Sequence, residues 1–142
     1  MLSIILIACA LVAITVAVHA AGFGFVLQSL LKSHATPTHF WPIAWLLIRV
    51  TWCLLLIHAI EITVWALFYL WWKCLPDTES AFYFSGVTYA TIGYGDLVLP
   101  KPWRMFGPVE GLTGILMCGL SAGLFFAVVT RIYVARSETK PK

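Results

Sequence analysis

The sequence predicts an all-α membrane protein: three spanning helices plus one short re-entrant helix and the loop that returns from it. Three observations predict it. Hydrophobic residues make up 61% of the chain and charged residues 11%, against roughly 45–50% and 25% in a soluble domain. Three apolar stretches, Leu2–Leu31, Ile43–Trp72 and Phe106–Val134, each exceed the roughly 20 helical residues that cross a bilayer core. Between the second and third lies a shorter aromatic segment, followed by T-I-G-Y-G. The chain of 142 residues has room for one domain. A soluble domain of that size cannot hide so much apolar surface, which excludes an ordinary cytosolic enzyme and a disordered tail. A net charge of +3, scattered along the chain, is too weak for a phosphate-tracking surface. The expected partner is the lipid bilayer and not nucleic acid.

The first stretch holds no Asp, Glu, Lys or Arg. Val18-His19-Ala20 has the small-residue pattern of a cleavage site. No basic residue precedes the run, however, and it continues through Phe23 and Phe25 to Leu31, so a retained helix is expected. The second stretch carries Arg49, His58 and Glu61. His58 and Glu61 are three apart on one helix face, and counting depth along both helices brings His19 of the first stretch level with them. The favoured reading of His19, His58 and Glu61 is a structural polar cluster. A pH-sensing element is the alternative, and a metal site the least supported one.

Lys32 in the first connector, and Arg131, Arg136, Lys140 and Lys142 against Glu138 in the tail, are the basic segments; Lys73–Glu110 is slightly acidic. The positive-inside rule then puts the amino terminus outside and the carboxyl terminus in the cytoplasm. Arg49 lies close enough to the cytoplasmic interface to snorkel there.

The segment Pro76–Pro108 faces outward. After Pro76 and Asp77, Thr78 is the expected N-cap, and Glu79 suits the positive helix start. The helix that follows is too short to span, so the chain must return as non-helical backbone, tolerated at membrane depth only inside protein or beside water. Gly93 and Gly95 in Thr91-Ile92-Gly93-Tyr94-Gly95 permit alternating backbone handedness. Successive carbonyls can then point one way, and four such strands around an axis would cage a dehydrated monovalent cation.

T-x-x-T-I-G-Y-G-D, from Thr88 to Asp96, resembles the potassium-channel pore signature. The resemblance covers about Ile43–Val134. It implies potassium-channel pore architecture for a pore domain over 43–135; the N-terminal transmembrane helix, 1–33, is an addition that the common two-helix channels lack. Within that domain it implies an outer helix 43–73, pore helix 79–90, selectivity filter 91–95 and inner helix 106–135, followed by a cytoplasmic tail 136–142. K⁺, as permeant ion, would be held by the backbone carbonyls of Thr91, Ile92, Gly93 and Tyr94 and the Thr91 hydroxyl. Thr88, Gly95 and Asp96 would support the filter, with Tyr94 turned into an aromatic cuff that includes Tyr83 and Phe84. In some relatives a Glu behind the filter pairs with the Asp; Val87 stands there, so Asp96 needs another partner. One filter strand per chain implies a homotetramer, three further copies of the same chain.

Gly114 and Gly119 are candidates for a gating hinge in the inner helix, against simple close packing of small residues. Glu110 at the start of that helix is favourable as an anion at a helix N-terminus. Cys9, Cys53, Cys74 and Cys118 show no ligand spacing; Cys74, at the outer edge, is the one placed for an inter-subunit disulfide. No arginine ladder marks a voltage sensor, which leaves the pore, the membrane, protons or an unidentified regulatory protein to control it. The expected function is passive, K⁺-selective conduction with no enzymatic activity, in a bacterial inner membrane. The alternatives are a non-conducting scaffold or regulatory subunit, and a membrane enzyme built on His58, Glu61 and His19.

Overall fold

A computed structural model of the chain describes residues 2–32 and 39–138. The connector around His34 and the tail's Lys140 and Lys142, which contribute to the expected orientation, lie outside them. The elements run α1 (Leu2–Lys32), α2 (Phe40–Trp71), α3 (Thr78–Tyr89), a short 3-10 turn (Lys101–Trp103) and α4 (Phe106–Glu138). No strand occurs among the described residues. Three helices are long and apolar enough to cross a membrane, so the chain is an integral membrane protein. Each exceeds 30 residues, or about 45 Å at helical rise, against a hydrocarbon core of about 30 Å. Their ends therefore project or the helices tilt.

Two boundaries differ from expectation. α2 begins at Phe40 rather than Ile43, because Pro42 sits in the first turn, where a missing N–H costs nothing. α4 continues through Arg136 to Glu138, into the expected tail.

α1 and α2 pack antiparallel in a register set by three contacts. Thr15 Oγ1 donates to the Leu11 carbonyl at 2.9 Å and accepts from Trp65 Nε1 at 3.0 Å. One turn on, His19 meets Glu61 at 2.9 Å. At the next turn Gly22 lies under Ile57, so close that a Cβ there would stand 2.5 Å from the Ile57 Cγ1. Because lipid tails are as apolar as the side chains, such close packing and polar pairing, not hydrophobic drive, hold helices together in a bilayer.

α3 is wedged between α2 and α4. Trp65, Phe68, Tyr69, Phe84 and Phe106 bury around it, with Phe68 stacked on Phe106 at 4.9 Å between ring centroids. A smaller cluster of Val26, Val50, Leu54 and Ile57 joins the far ends of α1 and α2. α2 stops where Lys73 takes the left-handed conformation, φ 51°. The Lys73 and Cys74 amides then return to the Leu70 and Tyr69 carbonyls, satisfying acceptors at the helix end. This turn carries Cys74 inward. It is buried, and burial pushes its thiol up to about 11, so within this fold it is a packing residue with no surface to offer a disulfide partner.

Candidate functional site

The cap of α3 is Asp77 rather than the expected Thr78. Both types cap well, but Asp77 reaches Ser80: its carboxylate accepts from the Ser80 backbone N–H at 2.9 Å and hydroxyl at 2.8 Å. Those bonds, the backbone one first, hold the Asp77 carboxyl below its ordinary range. The helix runs Thr78–Tyr89, with Ala90 as C-cap.

Beyond Ala90 the loop hangs from the last turn of α3. The Thr91 amide donates to the Thr88 carbonyl at 2.9 Å, and the Ile92 and Gly93 amides donate to the Val87 carbonyl at 2.8 and 3.1 Å. Every second residue is left-handed: Thr91 at φ 59°, Gly93 at 54° and Gly95 at 78°. For the glycines this is free. For Thr91, which is β-branched, it is strained, at about 1–3 kcal/mol. Among the described residues no backbone or side-chain hydrogen bond falls on the carbonyls of Thr91, Ile92, Gly93 or Tyr94. All of residues 91–96 are exposed in the single chain.

The side chains around the loop take different partners from those expected. Tyr83 donates its hydroxyl to Asp96 Oδ2 at 2.8 Å, which supplies the partner that Val87 does not. Phe84 is buried edge-on against Tyr69, 5.3 Å between centroids. Tyr94 is 69% exposed, so one chain does not close an aromatic cuff on it. Val87 and Thr88 line a recess of about 510 Å³ behind Gly93, Tyr94 and Gly95.

His19, His58 and Glu61 come together. Glu61, fully buried, lies 2.9 Å from His19 Nδ1 and 3.0 Å from His58 Nδ1, and also accepts from the Tyr89 hydroxyl. The other His58 nitrogen, Nε2, is 3.0 Å from Ser121 Oγ. One proton layout satisfies these groups: both Nδ1–H groups and Tyr89 donate to the carboxylate, and Ser121 donates to His58 Nε2. The ligand atoms of the three residues lie within 4.8 Å of one another, the spacing of a metal site. His19 Nε2 argues against one. It is buried and, among the described residues, without a partner. A metal on Nδ1 would put the ring proton on Nε2, a buried donor with no acceptor and none of the outer-shell support such ligands have.

A second buried carboxylate lies nearer the C-terminal end of α2. Glu110 accepts from the Tyr69 hydroxyl at 2.6 Å and the Ser85 hydroxyl at 2.5 Å, so α2, α3 and α4 meet at one group. Its place at a helix N-terminus understates it. The hydroxyls of Tyr69, Ser85, Tyr89 and Ser121 carry no sequence pattern that would single them out; only the helix crossings do.

Gly114 is where α3 rests on α4. A Cβ there would collide with the Tyr89 carbonyl oxygen, and one at Gly111 would touch the Thr88 carbonyl at 3.4 Å. Gly119 has open space around it in the chain. α4 is continuous helix through both candidate hinges.

No curated protein and no solved structure gives a significant match to this chain. The family model described as "Ion channel" matches residues 54–131. That stretch takes in most of α2, all of α3 and its loop, and α4 as far as Arg131, leaving α1 outside. It covers more than half of the sequence, and the chain belongs to this ion channel family.

Proposed function

We propose that the chain is one subunit of a potassium-selective channel, with four copies placing their 91–95 loops around a common axis. The observation that carries this reading is the run of unpartnered carbonyls from Thr91 to Tyr94 on backbone of alternating handedness. Within a membrane, unpaired backbone is admissible only where it is enclosed by protein or serves a polar occupant. Four rows of carbonyls, with the Thr91 hydroxyl at the inner end, replace the hydration shell of a K⁺ ion. The C-terminal end of α3 adds a partial negative charge below them. Conduction is passive and involves no covalent chemistry. The exposed faces of the loop and of Tyr94 are the surfaces that neighbouring subunits would cover, with Thr88, Gly95 and Asp96 supporting the filter. The amino terminus lies outside and the carboxyl terminus in the cytoplasm, in a bacterial inner membrane.

The test is ion flux from purified protein in liposomes under K⁺ and Na⁺ gradients, with the assembled mass measured in parallel. K⁺ flux well above Na⁺ flux from a tetramer is expected. Flux without K⁺ preference would refute selectivity. A tetramer without flux would favour a scaffold or regulatory subunit, and a conducting monomer or dimer would refute the architecture.

A further inference from the structure

We propose that Glu61 is a positioning residue for the 91–95 loop, holding the end of α3 from which that loop hangs and making α1 part of the conduction machinery. The flux arm of its test rests on the potassium-channel reading. Tyr89 is the last residue of α3 and is clamped at both ends. Its hydroxyl donates to Glu61, and its carbonyl lies against Gly114, where no side chain fits. The neighbouring carbonyls of Val87 and Thr88 receive the amides of Thr91, Ile92 and Gly93. A shift of Tyr89 therefore moves the hydrogen bonds that shape the loop. Glu61 in turn is fixed by His19 from α1 and by His58 one turn away on α2, and His58 reaches Ser121 on α4. One carboxylate thus joins all four helices, and α1, which lies outside the family match, supplies one of its three donors.

Two readouts test this on the full-length protein. The first is hydrogen exchange at the amides of residues 90–93, which does not depend on conduction. Tyr89→Phe and Glu61→Leu are expected to speed it about tenfold, the scale of one buried charge-assisted hydrogen bond, while exchange along α1 and the first half of α2 stays unchanged in Tyr89→Phe. The second is the K⁺/Na⁺ flux ratio, expected to fall in the same variants and to be restored in Glu61→Gln, whose amide oxygen still accepts from Tyr89. Thr15→Val, which removes the other polar contact between α1 and α2, is the control and is expected to change neither readout. Exchange at 90–93 unchanged in both variants, acceleration spread evenly over the chain, or a Thr15→Val effect equal to that of Tyr89→Phe would each overturn the proposal. So would a flux ratio in Glu61→Leu equal to that of a conducting wild type. Local acceleration in a wild-type background that carries no K⁺ would instead refute the channel reading and leave the positioning role standing.

Discussion

The hydroxyl of Tyr83 donates to Asp96 Oδ2 at 2.8 Å, joining α3 to the end of the loop that follows it. Both groups are exposed in the single chain, so the bond itself is worth little in water. In the proposed tetramer, shielded by neighbouring chains, it would strap the end of the loop to α3. Tyr83→Phe is expected to leave assembly intact and to hasten the decay of K⁺ current several-fold. Current decay at constant driving force measures it. An unchanged rate would show that the strap holds nothing.

Gly93→Ala tests the left-handed position at the centre of the loop. Its φ of 54° costs a residue with a Cβ about 1–2 kcal/mol, while nothing nearby crowds that Cβ within the chain. The expected outcome is normal insertion and assembly with K⁺ selectivity lost. Equal K⁺/Na⁺ flux ratios in the variant and the wild type would contradict the role given to the loop.

Gly114→Ala should destabilise the protein by about 1–3 kcal/mol, the usual cost of overpacking, because the added methyl meets rigid backbone at Tyr89 rather than a side chain that can turn away. Gly119→Ala meets nothing and should gain slightly from helix propensity, by up to about 1 kcal/mol. Thermal unfolding in detergent separates the two. A Gly119→Ala variant that unfolds normally yet alters opening would assign the hinge to Gly119.

Glu110 braces three helices through two hydroxyls. Tyr69→Phe removes one donor and leaves Ser85, so a loss of about 1–3 kcal/mol is expected. Glu110→Ala strands both hydroxyls and opens a cavity, and should cost more than Tyr69→Phe and Ser85→Ala each do. If Glu110→Ala proved the mildest of the three, the carboxylate would not be the hub of that brace.

The Asp77 cap predicts a pH effect whose sign follows from its lowered carboxyl. A group whose folded value lies below its unfolded one stabilises above the unfolded value, near 4, and loses that contribution as pH falls through the folded one. Acidification should therefore fray the start of α3 first, read as a loss of amide protection at Ser80 relative to the intrinsic exchange rate at each pH. Asp77→Asn, which still caps but does not titrate, should remove the pH dependence.

Much of this molecule is legible before any coordinates, for reasons that lipid imposes. Spanning helices need unbroken apolar length, so α1, α2 and α4 are visible in composition alone. T-I-G-Y-G stands out because two glycines one residue apart are costly unless the backbone uses them. His19 comes level with His58 and Glu61 by counting helical rise, since polar groups that deep have few places to go. Other features depend on angles between helices. Nothing in the residues around Tyr89 or Ser121 says that their hydroxyls face Glu61 and His58, and an Asp-Thr pair at a helix start leaves the cap undecided between two good candidates. The left-handed Thr91 is hidden because only the turn out of α3 demands it; its side chain alone would favour an extended conformation.

The register of α1 on α2 also bears on how the chain enters the membrane. His19 emerges from the ribosome long before Glu61, the residue that satisfies it. Until the second helix arrives, α1 presents an imidazole to the translocon or to lipid with no partner for it. Glu61 meets the same difficulty in mirror image if it inserts alone, because a lone carboxylate at that depth is expensive. The two helices have reason to leave the translocon as a pair, docked through His19 and Glu61 before α3 follows, so that Tyr89 folds back onto an acceptor already in place.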